Sequence, residues 1–276
     1  MAVVEPIPGD AARGDGFASP EEIRQYANRI AGAASVALLL DYDGTLVPFT
    51  PTPALAAPDD RVLALIGALA ARAATAVHLV SGRPRESLEN WLGELPVGLH
   101  AEHGAWSRDP GTLEWQRHPE VCPVPYDELV TLLERFTTGT PGALIERKSA
   151  GLAWHYRLVR PVDANRLVEA MIDEVQSRFP PETVEVLRGE KLVEFRPAGI
   201  HKGLIVTRVR AGLPPDTLLV AVGDDATDED MFAALPPEGV SIHVGPRPSR
   251  AALRLRDVEA CREFLEGLLN RPPAAP

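Results

Sequence analysis

The 276-residue chain predicts an α/β fold: a parallel sheet core with a smaller α+β segment inserted into it. Three observations carry this. Short runs apolar on both faces (residues 36–40, 76–80, 217–222 and 240–244) suit central strands of a parallel sheet, which is covered on both sides. Stretches with a helical apolar period separate them through short connections. From about residue 108 to 197 the strict alternation gives way to paired strands joined by tight turns.

Taken in order, residues 1–18 are rich in Gly, Pro, Asp and Ala and predict a disordered N-terminal arm. Ser19-Pro20-Glu21-Glu22 is a helix start, with Ser as cap, Pro in the first turn and Glu22 reaching back in a capping box. That helix is expected to run to about Ala31 and lead to the strand at 36–40. Asp59 and Asp60 open a second helix, whose Val62, Leu63, Leu65, Ile66 and Leu69 form an apolar face. The strand at 76–80 breaks at Ser81-Gly82-Arg83-Pro84, and a short helix through Leu88 and Trp91 leads to a strand at 97–101. Within the insert, strands at 143–148 and 152–157 flank Ser149-Ala150-Gly151. Asp163 is expected to cap a helix carrying Leu167, Val168, Met171, Ile172 and Val175, and strands at 182–188 and 191–196 flank Gly189-Glu190. The α/β texture returns after Ile200: a helix follows His201-Lys202-Gly203, then come the strands at 217–222 and 240–244 and a closing helix at 257–269. The expected division is a core of 19–107 and 198–276 around an insert of 108–197.

Composition narrows the function. Lys plus Arg number 28 and Asp plus Glu 39, a net charge of −11. Such a surface repels phosphodiester backbones and anionic lipid, so neither nucleic acid nor a membrane is an expected partner. No apolar run is long enough to span a bilayer, and the N-terminus has an early Glu5 and no apolar leader core, so the expected location is the cytoplasm. Cys122 and Cys261 are too few for a disulfide framework or a cysteine zinc site and read as small apolar residues.

Residues able to do chemistry collect at strand ends. The strand at 36–40 delivers Asp41 and Asp43, which as i and i+2 face the same side. Open α/β sheets place their ligands beyond this end of the strand. Gly44 lets the backbone approach a ligand and offers an amide to an oxyanion. The strand at 217–222 runs into Gly223-Asp224-Asp225, with Asp228 three residues on. A helix cap accounts for one of these acids but not for a pair at a strand end. If the five carboxylates converge, a pair ~4 Å apart repels by about 4 kcal/mol at an effective dielectric of about 20. Either they protonate or a hard cation sits among them. Oxygen donors without Cys or a neighbouring His suit Mg²⁺ rather than Zn²⁺. Ser81 and the amides beside it can donate to a phosphoryl oxygen, though an ordinary turn fits these residues as well. Lys202 in a first helical turn opposes the macrodipole, which a nearby anion would offset; a solvated surface lysine is the alternative.

Asp41-Tyr42-Asp43-Gly44-Thr45, then Ser81, then Lys202, then Gly223-Asp224-Asp225 with Asp228, in that order, resemble the four motifs of haloacid dehalogenase-type phosphatases. The resemblance implies a Rossmann-like core and makes the insert a C2-type cap domain. More narrowly, nearly the whole ordered chain is similar to the trehalose-6-phosphate phosphatase family. The segments that carry this are Gly98-Leu99-His100-Ala101-Glu102-His103-Gly104-Ala105, Glu146-Arg147-Lys148, His155-Tyr156-Arg157, 189–197 and 223–232. The resemblance implies a Mg²⁺-dependent phosphatase that hydrolyses trehalose 6-phosphate to trehalose and phosphate through an aspartyl-phosphate. By it, Asp41 is the nucleophile, Asp43 the general acid and base, and Ser81 and Lys202 hold phosphoryl oxygens. It assigns the metal to Asp41, the Asp43 carbonyl and Asp224, with Asp225 and Asp228 in support. It assigns substrate contacts to Asp43, Gly44, Thr45, Arg83, His103, Glu146, Lys148, His155, Arg157, Lys191 and Glu194. Mixed donors and acceptors on the insert's strands suit a polyhydroxyl sugar; a solvated sheet face with cross-strand ion pairs explains them as well. Two alternatives stand beside trehalose 6-phosphate. One is another sugar phosphate, of the sucrose 6-phosphate or mannosyl-phosphoglycerate type, which the core motifs do not distinguish. The other is a catalytically silent sugar-phosphate-binding module, against which the presence of both Asp41 and Asp43 argues. The expected partner is a small-molecule sugar phosphate, and the expected state a monomer.

Overall fold

Helix α1 (Pro20–Ala31) opens on the capping box: Ser19 Oγ accepts the Glu22 amide at 3.3 Å, and Glu22 Oε2 accepts the Ser19 amide at 2.8 Å. The structure, a computed structural model, describes residues 16–271 apart from 53–54, 120, 122–123 and 190. The chain then runs β1 (Val36–Asp41), α2 (Asp60–Ala71), β2 (Thr75–Val80), α3 (Arg85–Leu92), β3 (Gly98–Ala101), β4 (Trp106–Arg108) and β5 (Gln116–Arg117). Next come α4 (Tyr126–Thr137), β6 (Leu144–Arg147), β7 (Leu152–His155), α5 (Pro161–Arg178), β8 (Val184–Gly189) and β9 (Leu192–Pro197). It closes with α6 (Gly203–Ala211), β10 (Leu218–Gly223), α7 (Glu229–Ala234), β11 (Val240–Val244), β12 (Leu253–Leu255) and α8 (Val258–Leu269).

Among the described residues the large sheet has eight strands in the order β12-β11-β10-β1-β2-β3-β4-β5. Pairing is parallel from β12 to β3 and antiparallel at β4 and β5. Every residue of β1 and β10 is buried, as the two-sided apolar runs require. Even-numbered residues of β1 (Val36, Leu38, Leu40) pack into the cluster under α1, α2 and α8, while Ala37 and Leu39 face Ile205 and Val206 of α6 and Met231 of α7. Successive strands run outward in opposite directions from the β1–β10 pair, so the topological switch point lies between these two strands. Their register, Leu40 opposite Val222, brings both acidic strand ends to one place.

The small sheet is antiparallel, β6-β7-β9-β8, with α4 and α5 on one face around Leu129, Leu133, Trp154, Met171 and Phe195. On the other face, Ala153 of β7 stands between Glu146 of β6 and Glu194 of β9 in one cross-strand row. Residues 198–202 join β9 to α6, with Gly199 at φ +79°.

Several expectations change. Helix α5 begins at Pro161, where a fixed φ suits the first turn, so Asp163 lies inside that turn instead of capping it. The large sheet runs past residue 107 to Arg117, because β4 and β5 turn back antiparallel along its edge. Helix α4 and strand β12 add to the expected elements. Of the arm expected over 1–18, residues 1–15 lie outside the described ones, and the Ala18 amide already donates to Arg254 O at 2.8 Å. Cys122 and the Glu190 turn position also lie outside them; Cys261 is buried with a free thiol. No helix among the described residues is long and apolar enough to cross a membrane.

Candidate active site

Strand alternation continues the Ala37–Leu39 row to Asp41 and so aims it at α6, whose N-cap is Lys202. Lys202 Nζ donates to Asp41 Oδ1 at 2.6 Å and to Asp228 Oδ1 at 2.7 Å. Lys202 is 3% exposed and Asp228 fully buried, so neither is a solvated surface charge. The other Asp228 oxygen accepts the amides of Asp224 (2.9 Å) and Asp225 (3.0 Å). Asp228 therefore braces the loop after β10; its side chain does not cap α7.

Asp41, Asp224 and Asp228 offer oxygens that all lie within 4.8 Å of one another. Burial pushes the Asp41 carboxyl up to about 6 against the pull of Lys202. Burial, then the Asp41, Asp228 and Asp225 carboxylates, push Asp224 up to about 10. Asp228 is raised by burial and by Asp41. Burial works against charge on Lys202, but Asp228 and Asp41 outweigh it and hold the ammonium charged far above its usual range. One ammonium cannot neutralise three carboxylates. Two protons or a hard divalent cation would complete the balance, and an all-carboxylate donor set fits Mg²⁺.

Asp43 and Asp225 stand outside this trio. Both oxygens of Asp43 are taken by Arg83, at 2.7 Å from Nε and 2.6 Å from Nη2. The Arg83 guanidinium in turn lies 4.7 Å from the Trp91 ring centroid, so Arg83 is held as a clamp on Asp43. Asp225 Oδ1 accepts the Thr227 amide (2.8 Å) and hydroxyl (2.7 Å). Burial raises Asp225, but Lys202 and these bonds outweigh it and leave it lowered.

Gly44 and Thr45 lie against Asp224 and do not line the cleft. Thr45 Oγ1 donates to Asp224 Oδ1 at 3.3 Å. A Cβ on Gly44, which stands at φ +83°, would come within 2.5 Å of three Asp224 carboxylate atoms. Only glycine suits both the angle and the approach. Gly44→Ala is expected to displace Asp224 and weaken divalent-cation binding at least about tenfold, read by calorimetric titration; unchanged affinity would show that Asp224 takes no part in holding the ion.

The cleft between the two sheets is lined on one side by Asp41, Asp43, Ser81, Arg83, His103, Lys202 and Asp225, and on the other by Glu146, Lys148, His155, Arg157 and Glu194. Ser81 is buried there, its Oγ accepting the Arg83 amide at 3.1 Å. The insert residues face the cleft, and the expected cross-strand ion pairs are present among them. Glu194 accepts from Lys148 and lies 2.5 Å from His103 Nε2; Lys148 also donates to Gly82 O at 2.6 Å. Burial would raise Glu194, but Lys148 and His103 hold it far below the carboxylate range. His155 Nε2 lies 2.8 Å from Glu146 Oε2. Lys191 stands in the turn before β9 at φ +63°, exposed, and is not among the lining residues. Residues that sequence reasoning missed also line the cleft: Phe49, Thr50, Pro51, Leu187, Arg188, Leu192 and Thr227. Thr227 sits inside the second acidic motif, where its hydroxyl was a usable signal. Phe49 carries none in sequence; it is read only from the Arg157 guanidinium 5.8 Å from its ring centroid, a contact across the two sheets.

Comparison with known proteins agrees with this geometry. The trehalose-phosphatase family profile matches residues 39–258. The bifunctional trehalose-6-phosphate synthase/phosphatase of Thermoproteus tenax is 44% identical over 236 residues, 86% of this chain and 32% of that one. The trehalose-phosphatase of Schizosaccharomyces pombe is 35% identical over 221 residues, 76% of this chain and 27% of that one. This chain thus spans about a third or less of the length of these curated relatives. The C-terminal domain of Candida albicans trehalose-6-phosphate phosphatase superposes with a TM-score of 0.83 at 29% identity, covering 92% of this chain and 98% of that one. With two acidic strand ends joined at the switch point and a profile that covers most of its length, the chain belongs to the trehalose-phosphatase family.

Proposed function

We propose that this protein is a Mg²⁺-dependent phosphatase that hydrolyses trehalose 6-phosphate to trehalose and phosphate. The observation that carries this is the cleft itself. The Asp41–Lys202 pair and the Asp43–Arg83 pair open onto the same space as Glu146, Lys148, His155, Arg157 and Glu194. A phosphoryl group at the first set leaves its sugar at the second. The small sheet, with α4 and α5, serves as the cap that excludes bulk water.

Asp41 Oδ attacks phosphorus, and the P–O bond to the sugar breaks with its electron pair on the sugar oxygen. Asp43 gives that oxygen its proton, for which one of its two bonds to Arg83 must be released. Asp43 then takes a proton from water as the water oxygen attacks phosphorus, and the Asp41–phosphorus bond breaks to return the carboxylate. Lys202 and Ser81 donate to the phosphoryl oxygens throughout. Asp41, Asp224 and Asp228 would hold the divalent cation, with the Asp43 carbonyl and Asp225 beside them; when bound it supplies charge stabilisation to the phosphoryl oxygens.

Phosphate release is to be measured on trehalose 6-phosphate, sucrose 6-phosphate, glucose 6-phosphate and a mannosyl phosphoglycerate at equal concentration. Trehalose 6-phosphate is expected to lead by at least about tenfold, as a site with buried polar groups discriminates. Activity is expected to vanish in EDTA and return with Mg²⁺. A flat profile, or turnover indifferent to chelation, overturns the proposal.

A further inference from the structure

We propose that Glu102 is a positioning residue, a latch that holds the sugar-facing hairpin in register with the reacting carboxylates; this rests on the function proposed above. Glu102 opens a short 3-10 turn, Glu102–Gly104, after β3 and is 4% exposed. It does not line the cleft, so it does not read the sugar. Both of its carboxylate oxygens are spent on the tip of the β6–β7 hairpin. Oε1 accepts the Ser149 amide at 3.1 Å and the Ser149 hydroxyl at 2.8 Å; Oε2 accepts the Ala150 amide at 2.7 Å. The Ser149 hydroxyl oxygen also accepts from Trp106 Nε1 at 2.6 Å. Two consecutive amides and a hydroxyl converging on one buried carboxylate form a charge-assisted grip, stronger than bonds between neutral groups.

The grip acts at a sensitive place. The residue before Ser149 is Lys148, which reaches both Glu194 and Gly82 O. On the other side, Glu102 and His103 both take left-handed backbone angles, φ +50° and +58°, which residues with a Cβ rarely adopt. Their amides hold that shape by donating to Arg83 O and Ser81 O, each at 3.0 Å. One turn is thus bonded through its backbone to the loop that presents Ser81 and Arg83, and through its side chain to the hairpin that presents Lys148. Glu102 fixes the distance between the group that recognises the sugar and the groups that handle the phosphate.

The test compares a substrate with a sugar to read and one without, trehalose 6-phosphate and p-nitrophenyl phosphate, in the full chain with Mg²⁺. Glu102→Ala is expected to lower kcat/KM on trehalose 6-phosphate about 10- to 100-fold, the range for losing hydrogen bonds to a charged group. Turnover of p-nitrophenyl phosphate is expected to stay within about threefold. Hydrogen exchange is expected to quicken at residues 148–151 and stay unchanged in β1 and β10. Equal loss on both substrates, or no loss with unchanged exchange, overturns the latch. If Glu102→Ala does not fold, Ser149→Ala carries the test, because it removes only the hydroxyl contacts from an exposed tip. A split of about three- to tenfold between the substrates is then expected, and equal loss or none overturns the idea. If the unaltered protein releases phosphate from no sugar phosphate, the proposed function fails by itself. Amide exchange in Glu102→Ala still decides the latch, and unchanged exchange rejects it.

Discussion

Asp41→Asn is expected to lower phosphate release on trehalose 6-phosphate by at least about 10⁴-fold, the scale on which loss of a nucleophile acts. An amide of the same shape cannot form the acyl-phosphate, yet it fits the same buried space and still accepts from Lys202. The fold is therefore expected to survive, with a thermal midpoint within a few degrees of the parent. The change removes a carboxylate that burial already pushes up to about 6, so one cost of the native site disappears along with its chemistry. Steady-state phosphate release and a thermal melt check the two halves separately. Near-parent turnover with an intact melt would mean that another group attacks phosphorus.

Lys202→Ala is expected to cost both activity and stability. Activity falls by about 10²- to 10³-fold, as for removal of one donor that stabilises charge in transfer. Stability falls by roughly 3–5 kcal/mol at neutral pH in EDTA, because Asp41 and Asp228 are left buried without their cation. The pH dependence has a definite sign. Asp41 and Asp224 have native values raised above 3.8, so the folded state binds protons that the unfolded state does not. Stability contributed by these groups is greatest at low pH and declines as pH rises above the unfolded value and through the native ones. Without Lys202 those native values rise further, so the penalty is expected to be smaller at pH 5 than at pH 8. Urea denaturation of parent and variant at both pH values measures it; a penalty that shrinks as pH rises would contradict a charge origin.

The core was legible because its signals are local. Short runs such as Leu38-Leu39-Leu40 suit a strand covered on both faces, and a pair of acids at the end of such a run has no packing role to explain it. The acids that end two of those runs, Asp41 and Asp224, meet at the β1–β10 switch point. What stayed hidden depends on contacts between distant residues. Strands β4 and β5 are three and two residues long and exist because an edge of the large sheet was free to pair. Helix α4 has an apolar face through Leu129, Leu132 and Leu133, a pattern open to reading, but the strand pairs around it dominated the texture of the insert. The Arg83 clamp on Asp43 spans 40 residues, and the Glu102 grip on Ala150 spans 48. Neither leaves a periodic trace. Lys191, expected to begin a strand, instead belongs to the bend before it, at φ +63°, because a strand boundary at a tight turn has no periodic signal.

The five-residue connection from β9 to α6 has a further consequence for anyone who would exchange one cap for another. Glu194 and Lys202 are eight positions apart on one length of chain, so a cleft carboxylate of the small sheet and the ammonium beside Asp41 share a tether. Lys202 is moored by two carboxylates at one end of it, and Gly199 supplies the bend between. A transplanted insert must therefore end upstream of residue 198 and keep the native spacing. A shorter splice would drag the ammonium off Asp41, and a longer one would let the new cap settle without aligning to it.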